Sequence, residues 1–443
     1  MLTSSERGVP ITEPPAPGPR LSIAAYDSLL ARIGLAATGV LLFVAAADVA
    51  AYADLRQRTA LLLIDFALYG AGFALLIAAA TSRFAVRNAG AIVLIAMIFG
   101  FSVIYYGRIE SDKRYGADIA VFSHVSAEMV LDGENPYAVR SQDFLVAQAE
   151  RFNHPPFLIT RLENGSVIDR LMVYPAGHVL VFVPLLALGV DDIRWVPAGA
   201  VLVVVGLLWW QAPAPFRPLI ALPIIVDPVA VLIYPTGGVV DQIWLVPLMG
   251  AAIALNSRRY GWAALLYGLA ASIKQLPWLL APFLLVWLWH ETASRPREER
   301  VKVIARFIVP SSAVFLAVNL PFMIWGFGDW FGAMTFHLRT PLQILGTGLS
   351  NLTGTGTLRL GRTFYSALSM VVLGGLFGAY LLWYGRLKHA VWVFPGIVLW
   401  FTYRSLQSYF VFWTPLLLVS ILAWYRREGG AEALGGERVT DEI

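Results

Sequence analysis

Long apolar windows separated by short polar stretches repeat along most of the 443-residue chain. Windows long enough to cross a bilayer core of about 30 Å, which takes about 20 helical residues, recur from one end to the other. The candidate spans are 29–53, 60–81, 88–106, 172–190, 194–210, 218–234, 239–255, 260–274, 275–290, 303–325, 364–384, 389–402 and 406–425. This pattern predicts an all-α polytopic membrane protein with about 12–13 transmembrane helices.

The composition agrees with that pattern. Hydrophobic residues make up 58% of the chain and charged residues only 14%, whereas a soluble domain carries roughly a quarter charged residues. The absence of cysteine excludes disulfides and thiolate metal sites. The net charge of +4 is concentrated at the ends of the apolar windows, so it indicates membrane topology and no binding of nucleic acid.

Basic residues identify the side on which the connecting loops lie. They cluster at Arg83/Arg87, Arg258/Arg259, Arg295–Lys302, Arg386/Lys388 and Arg426/Arg427. The positive-inside rule places these clusters in the cytoplasm and the long loops 107–171 and 326–363 outside. The Arg258/Arg259 cluster obeys the rule only with one crossing fewer or one more between 172 and 255. We therefore expect one segment, within 191–234, to be re-entrant or not a full span.

The domain organisation follows from the same pattern. We expect one transmembrane domain, 25–425, between polar cytoplasmic tails at 1–24 and 426–443. The two external loops are much longer than ordinary connections, and long ordered loops tend to carry function. The sequence therefore predicts a functional site on the extracytoplasmic side, with interfacial helices in the loops.

The stretch "YGADIAVFSHVSAEMVLDGENPY" is a polar segment between two apolar windows. If 118–132 is helical, Asp118 points in the same direction as an apolar stripe of Phe122, Val125 and Met129. A helix whose apolar stripe meets the membrane surface lies flat on it, which would bring the carboxylate to the bilayer boundary. The Gly-Glu-Asn-Pro-Tyr turn then ends the helix.

Residue type alone leaves the roles of these polar side chains open. Asp118 is consistent with a helix N-cap as well as with an acid–base group. His124 and Glu128, four residues apart, are consistent with a solvated pair or with an acceptor site beside Asp118. Glu110 and Asp112 lie next to a lysine and an arginine, which favours a salt-paired cluster near the membrane.

The pattern from Asp118 to the Gly-Glu-Asn-Pro-Tyr turn, followed by Tyr174-Pro175 at the next apolar window, resembles the GT-C superfamily of membrane glycosyltransferases. It is most similar to glycosyltransferase family 87, the polyprenyl-phosphomannose-dependent α-mannosyltransferases. The stretch "YGLAASIKQLPWLLAPFLL", which contains Lys274, is similar to that family's Gly-rich helix and Lys-x-x-Pro motif. The chain departs from the family in Ala176, where a second proline is usual, and in the length of 138–173.

The resemblance implies transfer, with inversion, of a sugar from a polyprenyl-phosphate donor to an extracytoplasmic glycolipid or polysaccharide acceptor. Asp118 would be the general base, a function that typically contributes about 10²–10⁴ in rate. Mannose is the sugar that the family implies, although the residues alone do not separate it from arabinose or glucose. The protein would lie in a prokaryotic cell membrane, in contact with membrane lipids.

The leaving polyprenyl phosphate gains negative charge, which preorganised cations stabilise. Lys274, Arg339 and Arg404 are the candidates because the topology places them near the outer face. A lysine at the end of a span is also consistent with a side chain that reaches to the surface without binding a ligand. A monophosphate leaving group held by such cations requires no metal or other cofactor. Candidate contacts to the sugar or acceptor are His124, Glu128, Tyr137, Tyr174, Gln242 and His337. Asp241, next to Gln242, is equally consistent with an ordinary polar residue at the start of a span.

Two other classes of protein fit the hydropathy. A lipid or solute transporter or flippase also needs about a dozen spans, but it usually has internal repeats and polar residues at mid-membrane. A membrane scaffold explains the apolar windows but leaves the Asp118 to Tyr137 pattern unexplained. A single cavity shared by Asp118 and Lys274 would favour the transferase.

Overall fold

The computed structural model describes residues 23–52, 59–220, 222 and 232–433, which are predominantly helical. The α-helices are α1 (Ile23–Tyr52), α2 (Thr59–Thr81), α3 (Arg83–Arg87), α4 (Ala89–Ser111), α5 (Asp118–Leu131), α6 (Gln142–Arg151), α7 (Gly177–Leu180), α8 (Val183–Ala187), α9 (Trp195–Gln211), α10 (Tyr234–Gly237), α11 (Gln242–Asn256), α12 (Tyr260–Ile273), α13 (Ala281–Glu291), α14 (Arg297–Met334), α15 (Phe336–Arg339), α16 (Asn351–Gly354), α17 (Arg362–Leu382), α18 (Tyr384–Leu387), α19 (Phe394–Trp400), α20 (Ser408–Val411) and α21 (Trp413–Ala433). Short 3₁₀ helices lie at Pro136–Ala138, Pro156–Leu158, Ala214–Ile220, Leu276–Leu280 and His389–Val393. Strands β1 (Leu345–Gly346) and β2 (Arg404–Ser405) pair in parallel, with Leu345 opposite Arg404.

Several of these helices have the length and composition of membrane spans. In the described part of the chain the long apolar segments are Ser28–Asp48, Leu62–Thr81, Ala89–Ser111, Arg297–Met334, Arg362–Leu382 and Ser408–Arg427. Large apolar side chains on their outward faces are exposed, among them Leu63, Ile324 and Leu382, and contiguous exposed apolar surface is typical of contact with a membrane. By helix length and composition, the protein has the all-α, multi-pass architecture that the hydrophobic pattern predicts.

The basic clusters meet at one end of the helix bundle, which we call the basic end. There Lys388 lies 2.5 Å from Glu291 at the end of α13. Arg427 of α21 donates to the carbonyl of Asn256 at the end of α11, over 3.1 Å. Arg426 likewise donates to the carbonyl of Trp210 near the end of α9, over 3.0 Å. Helices α9, α11, α13 and α21 therefore all finish at this end.

The opposite end, which we call the cavity end, holds the starts of α5 and α11 and the end of α12. Asp118, Asp241 and Lys274, at these three positions, line one cavity together. Because α11 and α12 connect the two ends in opposite directions, Arg258 and Arg259 between them lie at the basic end, as the positive-inside rule requires.

The predicted span 172–190 does not cross the bundle. Tyr174 lines the cavity, and Arg194, after the segment, donates to the carbonyl of Thr236 at 2.9 Å, again at the cavity end. Between them lie only α7 and α8, which Pro184 separates by starting a new helix. Eleven helical residues would reach only about 16 Å. This segment is therefore too short to be a full span, whereas we expected the incomplete span within 191–234, an interval that lies partly outside the described residues.

Several boundaries also differ from those predicted. Helix α14 continues to Met334, past the predicted start of the external loop at residue 326, with a break in helical geometry at Gly326. Helix α4 continues to Ser111. Most of the candidate span 218–234, nearly all of the predicted N-terminal tail and the end of the C-terminal tail lie outside the described residues.

Candidate functional site

A cavity of about 140 Å³ at the cavity end brings together chemically active side chains from distant parts of the sequence. The residues with polar side-chain atoms that line it are Asp118, Thr160, Tyr174, Asp241, Lys274, His337, Arg404, Ser408 and Tyr409. Five of them, Asp118, Tyr174, Lys274, His337 and Arg404, are residues that the sequence predicts as site residues. Asp118 and Lys274 therefore share one cavity.

The carboxylate of Asp118 is held by a loop and does not cap its own helix. Ala117 is the N-cap of α5, and no side-chain cap hydrogen bond forms there. Instead, Asp118 Oδ2 accepts hydrogen bonds from the Thr160 backbone N–H at 2.9 Å and from the Thr160 hydroxyl at 2.8 Å. The interpretation of Asp118 as a helix cap is therefore wrong.

Helix α5 forms almost as predicted, but it lies inside the protein. All residues from Ala120 to Ala127 are buried, including Phe122 and Val125, which are 4% and 3% exposed. Helices α6, α7 and α8 pack against it. Protein therefore covers these two members of the stripe, and the predicted contact of this face with the membrane surface is wrong. The side chains of Asp118 and Phe122, one helical turn apart, do point in the same direction, as predicted, because both line the cavity.

Lys274 follows the last residue of α12 and is 6% exposed. Its ammonium group forms a salt bridge with Asp241, whose Oδ1 also accepts a hydrogen bond of 3.0 Å from Trp244 Nε1. The ring centroids of Tyr174 and Tyr409 lie 5.1 Å and 5.6 Å from Lys274 Nζ, within the range of cation–π attraction. Lys274 is thus a buried, paired cation in the cavity wall and not a side chain that reaches to the surface.

The second cation of the cavity is held by the β1–β2 pair. Arg404 begins β2, and its guanidinium donates to the Thr160 hydroxyl across 3.4 Å. None of the ion pairs formed by the described residues includes Arg404. Its charge therefore faces the cavity without a carboxylate partner in that part of the chain.

His337 lies on α15 and lines the same cavity. Burial lowers the pKa of its imidazole, and the charges of Arg404 and Lys274 lower this pKa further, to about 3. The ring is therefore neutral near pH 7, where it can donate one hydrogen bond and accept another. The Tyr403 hydroxyl donates to the His337 carbonyl at 2.7 Å, which links α15 to the segment that carries Arg404.

His124 and Glu128 do not line this cavity. His124 Nδ1 lies 2.8 Å from the Tyr115 hydroxyl, and Glu128 forms two hydrogen bonds of 2.7 Å with the Arg151 guanidinium. Burial lowers the pKa of His124, although the nearby Glu128 carboxylate opposes this. The two residues form part of a polar cluster beneath α5 and make no acceptor site beside Asp118.

Three further predicted residues also lie outside the cavity lining. Tyr137 is fully buried and supports the wall, because its hydroxyl donates to the Tyr174 carbonyl at 2.7 Å. Gln242 is buried next to Asp241. Arg339 is exposed, with its guanidinium carbon 5.3 Å from the Phe331 ring centroid. Arg339 is therefore not placed to contact a group bound beside Asp118.

The carboxylates Glu110 and Asp112 are paired on the surface. Glu110 lies 3.0 Å from Lys113 and Asp112 lies 3.0 Å from Arg114, so the salt-paired interpretation is confirmed. Asp112 also lines a separate cleft of about 310 Å³ together with arginines 108, 114 and 194. Each of these arginines is paired with an aspartate, so the cleft offers no uncompensated charge.

Sequence reasoning missed Thr160 and Tyr409 and did not commit to Asp241. Thr160 lies in an irregular loop, where no periodicity predicts which side chain meets which. Tyr409 is the last residue of "YRSLQSY". The predicted topology places this segment on the outer side, so the location of Tyr409 could be predicted but its role could not. Asp241 follows "PTGG" at the start of an apolar window, a position at which polar residues are common.

No protein-family model, curated protein or solved structure matches the chain. The chemistry of the site therefore rests on its own groups. The described residues contain no cluster of three or more His, Asp or Glu side chains suited to a metal ion. What the cavity offers is a carboxylate that can accept a proton, the Arg404 guanidinium without a carboxylate partner in the described residues, the Lys274 ammonium group paired with Asp241, and a neutral imidazole.

Proposed function

We propose that the protein is an integral membrane glycosyltransferase that moves a sugar from a polyprenyl-phosphate donor to a glycolipid or polysaccharide acceptor. The observation that carries this proposal is the single cavity that contains the Asp118 carboxylate together with the Lys274 and Arg404 cations. Transfer from a phosphate-linked sugar needs both kinds of group within the length of one sugar phosphate. Mannose is the first candidate sugar because of the resemblance to family 87.

In the proposed reaction, an acceptor hydroxyl attacks the anomeric carbon from the face opposite the phosphate, so the configuration inverts. The new carbon–oxygen bond forms as the bond to the phosphate oxygen breaks. Asp118 takes the hydroxyl proton, and the polyprenyl phosphate leaves with the bonding electron pair. Proton removal by a positioned base typically accelerates such a step by about 10²–10⁴.

The two cations would stabilise the negative charge of the leaving phosphate. Negative charge increases on its oxygens in the transition state, and preorganised cations in a site sheltered from water stabilise that charge. Lys274 is fixed by Asp241 and two aromatic rings, so it needs little reorganisation. Arg404 can present several donors to phosphate oxygens. His337 would bond sugar hydroxyls as a neutral ring.

The position of the cavity fits a lipid-linked donor. It lies at the end of the bundle opposite the basic clusters, which the positive-inside rule assigns to the extracytoplasmic side. Large apolar side chains stand exposed on the surrounding loops, with Phe157 72%, Leu158 51% and Leu338 83% exposed. We infer that these side chains contact the prenyl chain or the outer leaflet.

A transporter remains the alternative function, and the buried Lys274–Asp241 pair is the observation that favours it. Intramembrane ion pairs commonly mark transport pathways. However, Asp241 precedes the first residue of α11 and Lys274 follows the last residue of α12. The pair thus lies at helix ends beside the loops, whereas transporters typically bind their substrates near the middle of the membrane.

The decisive experiment is Asp118→Asn, assayed with purified protein and labelled polyprenyl-phosphate mannose, arabinose and glucose. The amide is isosteric and keeps an acceptor for Thr160, but it cannot take the hydroxyl proton. We expect transfer to fall at least about a hundredfold, with donor binding and thermal unfolding unchanged.

Asp112→Asn is the matched control, because it removes a loop carboxylate that pairs on the surface and does not line this cavity. It should retain transfer within about twofold. Normal turnover by Asp118→Asn, or equal losses in both variants, would overturn the proposed mechanism. Uptake of substrate into vesicles without transfer would favour the transporter.

A further inference from the structure

The Asp118 carboxylate depends on one residue for its orientation. Both hydrogen bonds to Oδ2 come from Thr160, 42 residues further along the chain, one from the backbone N–H and one from the hydroxyl. No described residue hydrogen-bonds to Oδ1. A carboxylate held through one oxygen keeps its other oxygen for a ligand, which is the arrangement that a general base requires.

The same hydroxyl contacts both Asp118 and the Arg404 guanidinium. Thr160 Oγ1 donates to Asp118 and, at 3.4 Å, faces the Arg404 guanidinium. If the hydroxyl were absent, the carboxylate and the guanidinium could approach and pair directly. Such a pair would consume both the base and the cation that the transfer needs.

Thr160 is itself held firmly by backbone contacts. Its carbonyl accepts from the Ile168 N–H at 3.1 Å, and Arg161 and Val167 form an antiparallel bridge. Gly165, with φ of 84°, makes the turn between these two sides, a conformation that glycine adopts at little cost. Thr160 thus stands at the base of a short hairpin.

This hairpin is attached to the loop that carries His337. The Arg161 carbonyl accepts from the Gln343 N–H at 2.9 Å, and the Glu163 N–H donates to the Pro341 carbonyl at 2.8 Å. Strand β1 then pairs with β2, which begins at Arg404. Three loops that each contribute to the cavity are therefore connected through their backbones.

We propose that Thr160 is a positioning residue: its hydroxyl orients the Asp118 carboxylate toward the acceptor and keeps it apart from Arg404. This inference rests on the proposed function. It also assigns a role to 138–173, the interval that is longer than in the resembling family. That interval would be part of the transfer site and not a surface extension.

The test compares Thr160→Val with Thr160→Ser. Valine keeps the shape and the backbone N–H but removes the hydroxyl, whereas serine keeps both donors. Because a hydrogen bond to a charged group is stronger than one between neutral groups, we expect Thr160→Val to lower kcat by roughly 10–100-fold. The KM for the donor should stay within about twofold, and Thr160→Ser should restore kcat to within about threefold of the wild type.

Thr353→Val is the control for loss of a threonine hydroxyl bond elsewhere. Thr353 Oγ1 lies 2.6 Å from the Tyr365 hydroxyl and does not line the cavity. This variant should lower thermal stability without lowering kcat. Normal kcat in Thr160→Val, or equal losses in the valine and serine variants, would overturn the inference.

The outcomes separate this inference from the proposed function. If Asp118→Asn abolishes transfer and Thr160→Val leaves it intact, only the role of Thr160 fails. If the wild type transfers none of the sugars, the proposed function fails, and a structure of Thr160→Val tests the positioning. There, a direct Asp118–Arg404 ion pair supports the role of the hydroxyl, and an unchanged carboxylate refutes it.

Discussion

Each end of the bundle contains a lysine paired with a carboxylate, and the two pairs have different surroundings. At the basic end, Lys388 pairs with Glu291, whose Oε1 also accepts from the Tyr384 hydroxyl at 3.0 Å. At the cavity end, Lys274 pairs with Asp241, and both line a cavity. The side chains of the basic-end pair are 15% and 12% exposed, whereas those of the cavity-end pair are only 7% and 3% exposed but line a cavity.

The difference indicates what each pair is for. A buried ion pair is weak evidence for stability, because desolvation offsets much of the attraction between the charges. The Lys388–Glu291 pair fits a structural role, since it joins the end of α13 to the segment after α18. The Lys274–Asp241 pair fits a role in binding, because its carboxylate keeps a cation charged in the wall of a largely apolar cavity.

The largest expected effect comes from neutralising each pair in turn. We predict that Lys274→Met with Asp241→Asn lowers transfer at least about a hundredfold, because removal of one preorganised charge contact typically costs about 10²–10³ in kcat. Lys388→Met with Glu291→Gln should keep transfer within about threefold. Both double variants avoid leaving a single buried charge, so both should fold.

The transfer assay with labelled donor, together with thermal unfolding in detergent, checks this prediction. The comparison fails if both double variants lose transfer equally while remaining folded. It also fails if the cavity-end variant transfers sugar at the wild-type rate, because Lys274 would then have no part in stabilising the leaving phosphate.

The next effect concerns stability. Asp241→Asn leaves Lys274 buried without a counter-charge, and removal of one partner from a buried pair typically costs about 3–5 kcal/mol. Glu291→Gln should cost less, because the Lys388 side chain is 15% exposed and water can partly replace the lost carboxylate. Unfolding of the two variants in parallel, in the same detergent, measures the difference. A larger loss for Glu291→Gln would contradict the assignment of roles.

The sequence predicts the architecture better than it predicts the site. Apolar windows indicate helices wherever the pattern is long, so the helices around Asp118 and Lys274 lie close to their predicted positions. The segment 172–190 is misread because its hydropathy resembles that of a span, while Pro184 divides it into short helices. Hydropathy measures how apolar a segment is, not whether the chain turns back within it.

The site residues that could be predicted from the sequence lie in different structural settings from those that could not. Asp118 and Lys274 could be predicted because they belong to the motifs that carry the resemblance and because the predicted topology places both on the outer side. Thr160 could not, because its meeting with Asp118 depends on a hairpin packed against a loop some 180 residues away in sequence. Long-range contacts between irregular segments leave no periodic signal in a single sequence. His124 and Glu128 were misplaced because a polar pair on a helix indicates neither its partners nor its burial.

The smallest effect is expected from Glu128→Gln, which tests whether the cluster of His124, Glu128 and Arg151 is separate from the cavity. Burial raises the pKa of the Glu128 carboxyl, but hydrogen bonds from Arg151 and the charges around it outweigh this, so the pKa in the folded protein is below the ordinary value of 4.5. Folding is therefore stabilised by the ionised carboxylate above pH 4.5, and this stabilisation is lost as the pH falls through the folded pKa. A partly exposed pair contributes about 0.2–1 kcal/mol.

We predict that Glu128→Gln lowers the unfolding temperature by about 1–2 °C at pH 7. The difference from the wild type should shrink below pH 4.5, and transfer should stay within about twofold. Glu150→Gln, an exposed residue of α6 with no ion pair in the described part of the chain, is the control and should show no such pH dependence. Loss of transfer in Glu128→Gln at an unchanged unfolding temperature would place Glu128 in the transfer site after all.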